Sequence, residues 1–361
     1  MMRTVYVKTT ESCNLDCKHC FTGGNRPPRT FLDLAKTEDW ISRFANYISP
    51  EDDVHFELHG GEPFLAPVST LKSIVTTIRA TGLKHMSIGA TTNLVYKLKD
   101  DLLDFIVNDL DAIGTSWDAG IRFANEKQEE LWRKNLQTLT DKNIKVVLNI
   151  SVSRAVVEMD CEKLITFIRD TKCYKVLFDR ITLNGNANNH LKLFPSNAEI
   201  NDWYLRMHEA TTRLDARKWF HNSMLEDVYA KFENSFSACG TFCRDCEERN
   251  ITLNANGSIG GCPNSAPEEF FGHIDMDIAE MFGTSKRIDV MVKERTRNDH
   301  CYTCPVFSYC GSDCHRLAWD GDVCASPRRL MMRLAGVDDS LEQRPATTTR
   351  VYKNIIPIFS S

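Results

Sequence analysis

Up to about residue 214 the chain alternates β-patterned runs with amphipathic helical stretches. Thr4-Val5-Tyr6-Val7-Lys8-Thr9 alternates with period two and predicts a first strand. Leu32, Leu34, Trp40, Ile41, Phe44 and Ile48 form an apolar stripe that predicts a helix over residues 30–48. The same logic predicts strands over 54–58, 86–90, 112–117, 145–152 and 176–183. It predicts helices over 71–78, 101–107, 126–139, 162–169 and, last of the series, 198–214. Six strand–helix units imply a parallel sheet with helices outside. Six rather than eight make a partial (β/α)6 TIM-like barrel. In parallel α/β folds the functional loops lie at the carboxyl ends of strands. The loops after the first, second and third strands therefore share one rim.

Beyond residue 225 the pattern changes. Residues 251–253 and 258–260 predict a β-hairpin with Asn256-Gly257 as its turn. Residues 327–334 predict a short basic helix, and the tail over 347–361 has a β-like end at Ile355, Ile356 and Ile358. The expected fold class is α/β, divided into a barrel over 1–225, a small cysteine-rich domain with a β-hairpin over 226–335, and a tail over 336–361.

The chain has 361 residues, 42% hydrophobic and 26% charged, as in an ordinary globular protein. A net charge of -5 argues against nucleic-acid binding through a basic surface. No apolar run reaches a membrane span. Residues 1–10 leave no room for the apolar core of a signal peptide before Cys13, so a cytoplasmic location is expected, where thiols stay reduced. Fourteen cysteines in such a compartment favour metal binding or catalysis over disulfides.

Cys13, Cys17 and Cys20 stand at C-x3-C-x2-C spacing on the loop after the first strand. Three thiolates hold three corners of a [4Fe–4S] cube and leave the fourth iron open. The alternatives are a zinc site completed by His19 or a distant residue, or a disulfide pair. His59-Gly60-Gly61-Glu62-Pro63 ends the second strand, either as an ordinary tight turn or as a ligand loop. Nine further cysteines lie at 239, 243, 246, 262, 301, 304, 310, 314 and 324, enough for the eight ligands of two more cubes. A zinc ribbon is the competing use of such pairs. Cys161 and Cys173 are isolated and expected to be structural.

These motifs together resemble the radical S-adenosylmethionine (radical SAM) enzymes. Their signature is C-x3-C-x-aromatic-C, with His19 in the aromatic slot, followed by a "GGE" loop. Cys246, Gly257-x4-Cys262, Cys301-x2-Cys304-x5-Cys310-x3-Cys314 and Cys324 resemble the seven-cysteine SPASM domain of many such enzymes. The resemblance implies three [4Fe–4S] clusters and S-adenosyl-L-methionine, which is cleaved reductively to a 5′-deoxyadenosyl radical. It implies that Gly60 and Gly61 admit the methionine part and that Glu62 accepts from its ammonium group. Thr92, Asn93 and Ser116 would contact the methionine or ribose. Arg122, with Arg133 as competitor, would pair with the carboxylate. Asp118, Asn149, Ser151, Asp179 and Arg180 are further rim candidates. One auxiliary cluster would use Cys246, Cys262, Cys314 and either Cys239 or Cys243, the other Cys301, Cys304, Cys310 and Cys324. No catalytic acid or base is assigned.

By resemblance, most SPASM enzymes act on peptides. The leading expectation is an oxidoreductase that cross-links or otherwise oxidises a ribosomally made precursor peptide or a protein side chain. A flavodoxin- or ferredoxin-type one-electron reductant would serve it. The chain begins at the first barrel strand, so peptide recognition is expected from a separate protein or from another surface of this chain; no nucleic-acid or membrane partner is expected. Cys262 is followed by Pro263, Asn264 and Ser265 without a carboxylate, which argues against sulfatase maturation. The cysteine surplus favours C–C bonding or oxidation over thioether formation. The alternatives are a small-molecule dehydrogenase acting on an alcohol or aminocyclitol, and a non-enzymatic iron–sulfur electron-transfer protein.

Overall fold

The structure, a computed structural model, describes residues 2–21, 30–233 and 244–337. Strands β1 (Met2–Thr10), β2 (Asp53–Gly60), β3 (His85–Thr92), β4 (Ala112–Ser116), β5 (Val146–Ser151) and β6 (Lys175–Asp179) pair in parallel, each with the next. The helices between and after them are α1 (Leu34–Tyr47), α2 (Val68–Arg79), α3 (Asp100–Asp109), α4 (Glu126–Asp141), α5 (Arg154–Glu158), α6 (Cys161–Asp170), α7 (Asn197–Arg213) and α8 (Ser223–Phe232). The sheet is open, as a partial barrel requires.

The period-two pattern sorts the strands' two faces. Val5, Val7, Val54, Phe56, Leu58, Ile88, Ile113, Val146, Leu148, Ile150, Val176 and Phe178 are buried with Trp40, Phe44, Leu71, Phe105, Trp132 and Trp203 from the helices in one core. The alternate positions carry Tyr6, Lys8, His55, Glu57, His59, Thr91, Ser116, Asn149, Ser151 and Asp179, so the concave face is polar.

Several boundaries differ from expectation. α1 starts at Leu34, because the Asp33 carboxylate caps the Lys36 N–H. The preceding residues instead bond back to the end of β1, Leu32 N–H donating to Thr9 O at 3.0 Å. β6 stops at Asp179 rather than 183, and Arg180 turns away to meet Asp313. α7 is not the last helix of the barrel, since α8 packs on β6 and runs across residue 225.

The hairpin is present as β7 (Asn250–Leu253) and β8 (Ser258–Gly260). Its loop is wider than Asn256-Gly257, because Asn254 N–H already pairs with Ser258 O and only Gly257 takes the left-handed conformation, at φ 87°. β9 (Gly272–His273) pairs with β8. The hairpin does not stand apart, because β7 pairs in parallel with β1 and continues the barrel sheet. Helices α9 (Cys246–Arg249), α10 (Ile278–Phe282), α11 (Ser285–Arg295), α12 (Asp299–Tyr302), α13 (Phe307–Cys310) and α14 (Arg328–Leu334) complete the described chain, α14 on the expected basic stretch. α7 holds this region through Asn201, whose Nδ2 donates to Cys324 O at 3.0 Å. Cys239, Cys243 and the tail over 347–361 lie outside the described residues.

Candidate active site

The loop after β1 carries Cys13, Cys17 and Cys20 across the carboxyl ends of the strands. Gly61 N–H donates to Thr10 O at 2.9 Å and Glu62 N–H to Ser12 O at 2.8 Å. A Cβ on Gly60 would meet Thr10 O at 2.1 Å, and one on Gly61 would meet Ser12 O at 2.1 Å. The glycines were expected to admit a methionine chain. Their bare backbone lets the cysteine loop approach, a contact between two segments about fifty residues apart in sequence. On the far side Asn186 Nδ2 donates to Cys17 O at 3.1 Å, and Asn186 N–H donates to Cys20 O at 2.8 Å. The loop is thus gripped by the segments after β2 and β6. Burial pushes the Cys13 thiol up to about 12 and raises Cys17, with Cys20 close enough to raise both further. Protonated thiols of this kind ionise when they take metal.

Glu62 is wholly buried. It accepts from Thr92 Oγ1 at 2.7 Å, Asn93 N–H at 2.8 Å and Phe64 N–H at 3.2 Å. Burial pushes its carboxyl up to about 7 against these donors. Three of a carboxylate's roughly four acceptor positions are therefore filled from within the protein. The Thr92 hydroxyl is engaged with Glu62 and with Tyr96 Oη at 2.9 Å. The Asn93 amide faces Asn14 and Cys13 rather than open space.

The sequence ranks Asp118 below Arg122, but Asp118 is the hub of this side of the rim. Its buried carboxylate takes Arg122 Nε at 2.6 Å, His19 Nε2 at 3.1 Å and Ser151 N–H at 2.6 Å. Burial would raise its pKa, yet Arg122 and His19 outweigh that and hold it below the usual carboxylate range. Arg122 is therefore tied to Asp118, and its carbonyl lies 3.8 Å from Cys17 Sγ. Arg133 lies off the rim on α4, paired with Glu129 at 2.6 Å. Arg180 forms a bidentate pair with Asp313, Nη2 to Oδ1 at 2.9 Å, and so clamps the end of β6 to the C-terminal region. Asp179 ends β6 exposed to solvent, yet desolvation by the surrounding protein, together with Asp118, pushes its carboxyl up to about 6.

Inside the barrel Ser87 Oγ, His55 and Glu57 form a chain, with ring contacts of 2.8 Å each, that Thr91 Oγ1 closes onto Glu57 at 2.6 Å. Lys8 is buried; burial lowers its pKa, while Glu11, Cys20 and Cys262 oppose that shift. Burial raises the Tyr6 phenol far above its usual range, helped by Cys262, Glu57 and Cys246. Lys8 on β1 is therefore within electrostatic reach of both Cys20 and Cys262.

In the C-terminal region Cys301, Cys304, Cys310 and Cys324 line one cavity, with Val306, Phe307 and Trp319. Around Cys246 and Cys262, Glu294 accepts from the N–H groups of Cys246 at 2.9 Å and Glu247 at 2.8 Å. Glu247 in turn holds Arg316 and accepts from Cys262 N–H at 3.1 Å. Burial pushes Cys262 up to about 12, Arg316 opposing and Glu247 and Cys314 adding to it. Cys161 and Cys173 are raised by burial, as expected of inert thiols. Among the described residues no three His, Cys, Asp or Glu side chains converge on a single ion. A cube takes one thiolate per iron and asks for wider spacing than a single ion does. The donor set of soft thiols suits it. Four buried polar atoms around the rim and concave face, Ser12 Oγ, His19 Nδ1, His59 Nδ1 and Asn149 Oδ1, have no partner among the described residues. Buried polar groups are normally paired, so this face suits a polar ligand.

Sequence reasoning missed the hub role of Asp118, the Asn186 grip and the Arg180–Asp313 clamp. Asp118 and Arg122 stand four apart, which reads as a surface pair; only the fold brings His19 to them.

Residues 2–139 match the family described as a 4Fe-4S single cluster domain. No curated protein matches the sequence. Among solved structures the chain is similar to anSMEcpe with bound AdoMet, at TM-score 0.76 and 15% identity over 92% of this chain and 97% of that one. It is similar to anSMEcpe with bound AdoMet and Cp18Cys peptide, at TM-score 0.76 and 14% identity over 92% and 96%. It is also similar to Streptococcus suis SuiB bound to precursor peptide SuiA, at TM-score 0.61 and 14% identity over 88% and 72%. By fold this chain is similar to these structures, and its Cys13, Cys17 and Cys20 lie within the stretch that matches the 4Fe-4S family.

Proposed function

We propose that the chain is a radical SAM oxidoreductase that modifies a peptide or protein side chain. The observation that supports this is the Cys13, Cys17 and Cys20 loop gripped across the carboxyl ends of the strands, with the hairpin that carries Cys262 paired to β1 in the same sheet. Cys13, Cys17 and Cys20 would hold a [4Fe–4S] cluster. When bound, the reduced cluster and S-adenosyl-L-methionine supply a 5′-deoxyadenosyl radical that takes hydrogen from a C–H bond. Gly60 and Gly61 seat the cysteine loop, and Glu62 ties it to the end of β3. Ser116, Thr92 and Arg122 would line the ligand's polar end, with Arg122 oriented by Asp118.

Cys301, Cys304, Cys310 and Cys324 would hold one auxiliary cluster, in keeping with the cavity they share. Cys246, Cys262 and Cys314, with Cys239 or Cys243, would hold the other. An auxiliary cluster near the reacting centre gives the second electron of an oxidation a place to go. The peptide-bound structures of anSMEcpe and SuiB, which share the fold, support a peptide substrate over a small alcohol. A ribosomally made precursor, delivered by a separate recognition protein, and a flavodoxin- or ferredoxin-type reductant complete the reading.

The test is iron and sulfide content after anaerobic reconstitution, with 5′-deoxyadenosine measured on the same sample. About twelve irons per chain with 5′-deoxyadenosine formation is the expected result. About four irons plus zinc would remove the electron acceptor and with it the oxidative reading.

A further inference from the structure

Asn93 is buried at the end of β3, a position where sequence pointed to a ligand contact. Its surroundings fix which way its amide faces. Val95 N–H donates to Asn93 Oδ1 at 2.7 Å, so the oxygen end is committed. Asn14 Nδ2 donates to Val95 O at 2.6 Å, which leaves Asn14 Oδ1 turned toward Asn93. A backbone N–H can only donate and a backbone carbonyl can only accept, so Val95 orients both amides. Asn93 Nδ2 must then face the cysteine loop. There it donates to Asn14 Oδ1 at 2.7 Å and approaches Cys13 Sγ at 3.6 Å.

The turn that makes this possible is unusual. Leu94 is fully buried in the left-handed region at φ 54°, which a branched side chain rarely adopts. Asn135 holds it there from α4, its Nδ2 donating to Leu94 O at 2.9 Å and Tyr96 O at 2.7 Å. Strain of this kind persists where the surroundings over-determine it, and it gathers at functional sites. A second donor, Leu15 N–H, lies 3.4 Å from the same sulfur.

We propose that Asn93 is a positioning residue of the cluster site, donating an N–H···S hydrogen bond to the Cys13 thiolate and thereby raising the cluster's reduction potential. The inference rests on Cys13 being a cluster ligand. Reduction adds negative charge that a cluster shares with its sulfurs, and a donor aimed at a ligating sulfur stabilises the reduced form more than the oxidised one. The nearby amide thus makes the cluster easier to reduce.

The experiment is a redox titration of the reconstituted full-length chain followed by electron paramagnetic resonance. The N-terminal cluster is identified as the reduced signal that changes on adding S-adenosyl-L-methionine. If wild type has no such signal, the cluster assignment fails and this proposal falls with it. Given the signal, Asn93→Ala is expected to move its midpoint to more negative potential. At the wild-type midpoint the reduced-to-oxidised ratio falls about five-fold, the scale of one net hydrogen bond. Asn93→Asp keeps an oxygen for Val95 N–H and so keeps the turn, but sets a carboxylate oxygen toward the sulfur. Its midpoint is expected to be the lowest of the three. An exchangeable deuteron coupled to this cluster in wild type should be lost in Asn93→Ala. Unchanged midpoints in both variants, even with a lowered melting temperature, would leave Asn93 a purely structural residue and overturn the proposal.

Discussion

Replacing Asp118 with Asn isolates the rim's electrostatic hub without changing its volume. In the native structure Oδ1 accepts from Ser151 N–H, while Oδ2 takes Arg122 Nε and His19 Nε2. An amide has one accepting end. Whichever way the new side chain turns, its NH2 faces an N–H donor, and Arg122 loses its counter-charge although only 13% of its side chain is exposed. Removing one partner of a buried pair costs about 3–5 kcal/mol. The remaining access of Arg122 to water argues for the lower end, about 3 kcal/mol. The assay is urea unfolding of the metal-free, reduced protein, compared with Asp118→Asn/Arg122→Met. The double variant removes the stranded cation as well and should recover about 1–2 kcal/mol of the loss. A single-variant cost below about 1 kcal/mol, or strict additivity of the two changes, would show that the pair is not the hub of the rim.

Gly61→Ala places a Cβ 2.1 Å from Ser12 O, so the cysteine loop must move; reconstitution should give about eight irons instead of about twelve, and a full complement would refute the seating role. Cys304→Ala strikes the cavity shared with Cys301, Cys310 and Cys324; it should remove about four irons yet leave the signal that responds to S-adenosyl-L-methionine, and loss of that signal instead would refute the grouping. Asp179 supplies a pH test, because its carboxyl is raised from 3.8 to about 6 in the folded protein by desolvation and by Asp118. Stability is therefore full below about pH 4 and declines as pH rises through 6, so Asp179→Asn should gain on wild type over that window. The undiscounted shift corresponds to about 3 kcal/mol. Because the carboxyl is reached by water in the cup, about 1 kcal/mol is the expectation, and a pH-independent difference in urea midpoint would contradict it.

The strands were legible because β1 to β6 alternate outward apolar and inward polar residues, and that alternation survives in the buried core. α8 was not, although Met224, Leu225, Val228 and Tyr229 form a helical stripe, because the stripe straddles the division expected at residue 225. The grouping of Cys301, Cys304, Cys310 and Cys324 came from the resemblance to the SPASM pattern, and all four line one cavity. The partners of Gly60, Gly61 and Asp118 were beyond reach. Each depends on a contact between segments distant in sequence, and glycine carries no side chain to hint at its neighbour. Asn93 lay at the expected rim, but its direction depends on the left-handed turn at Leu94, which no local pattern announces.

The least legible feature was the edge on which the hairpin pairs. Residues 250–253 read as a strand in any context, and nothing in them selects β1 as neighbour. That choice determines the geometry of the whole site. β1 lies between β2 and β7, so the strand that delivers Cys13, Cys17 and Cys20 is hydrogen-bonded directly to the strand that follows Cys246. Thr4 pairs with Asn250 and Val7 with Leu253, a register that brings Tyr6 and Lys8 into electrostatic reach of Cys262. A spacing set by sheet register is rigid, unlike one set by a linker between separately packed units. The Arg180–Asp313 pair adds a second tie, from the end of β6 to the loop before Cys314. Under the function proposed above, the radical site and the electron acceptor would need a fixed separation for the second electron to leave the substrate on the same turnover. A sheet that runs unbroken from β6 through β1 to β9 supplies that constraint from backbone hydrogen bonds alone, before any metal is added.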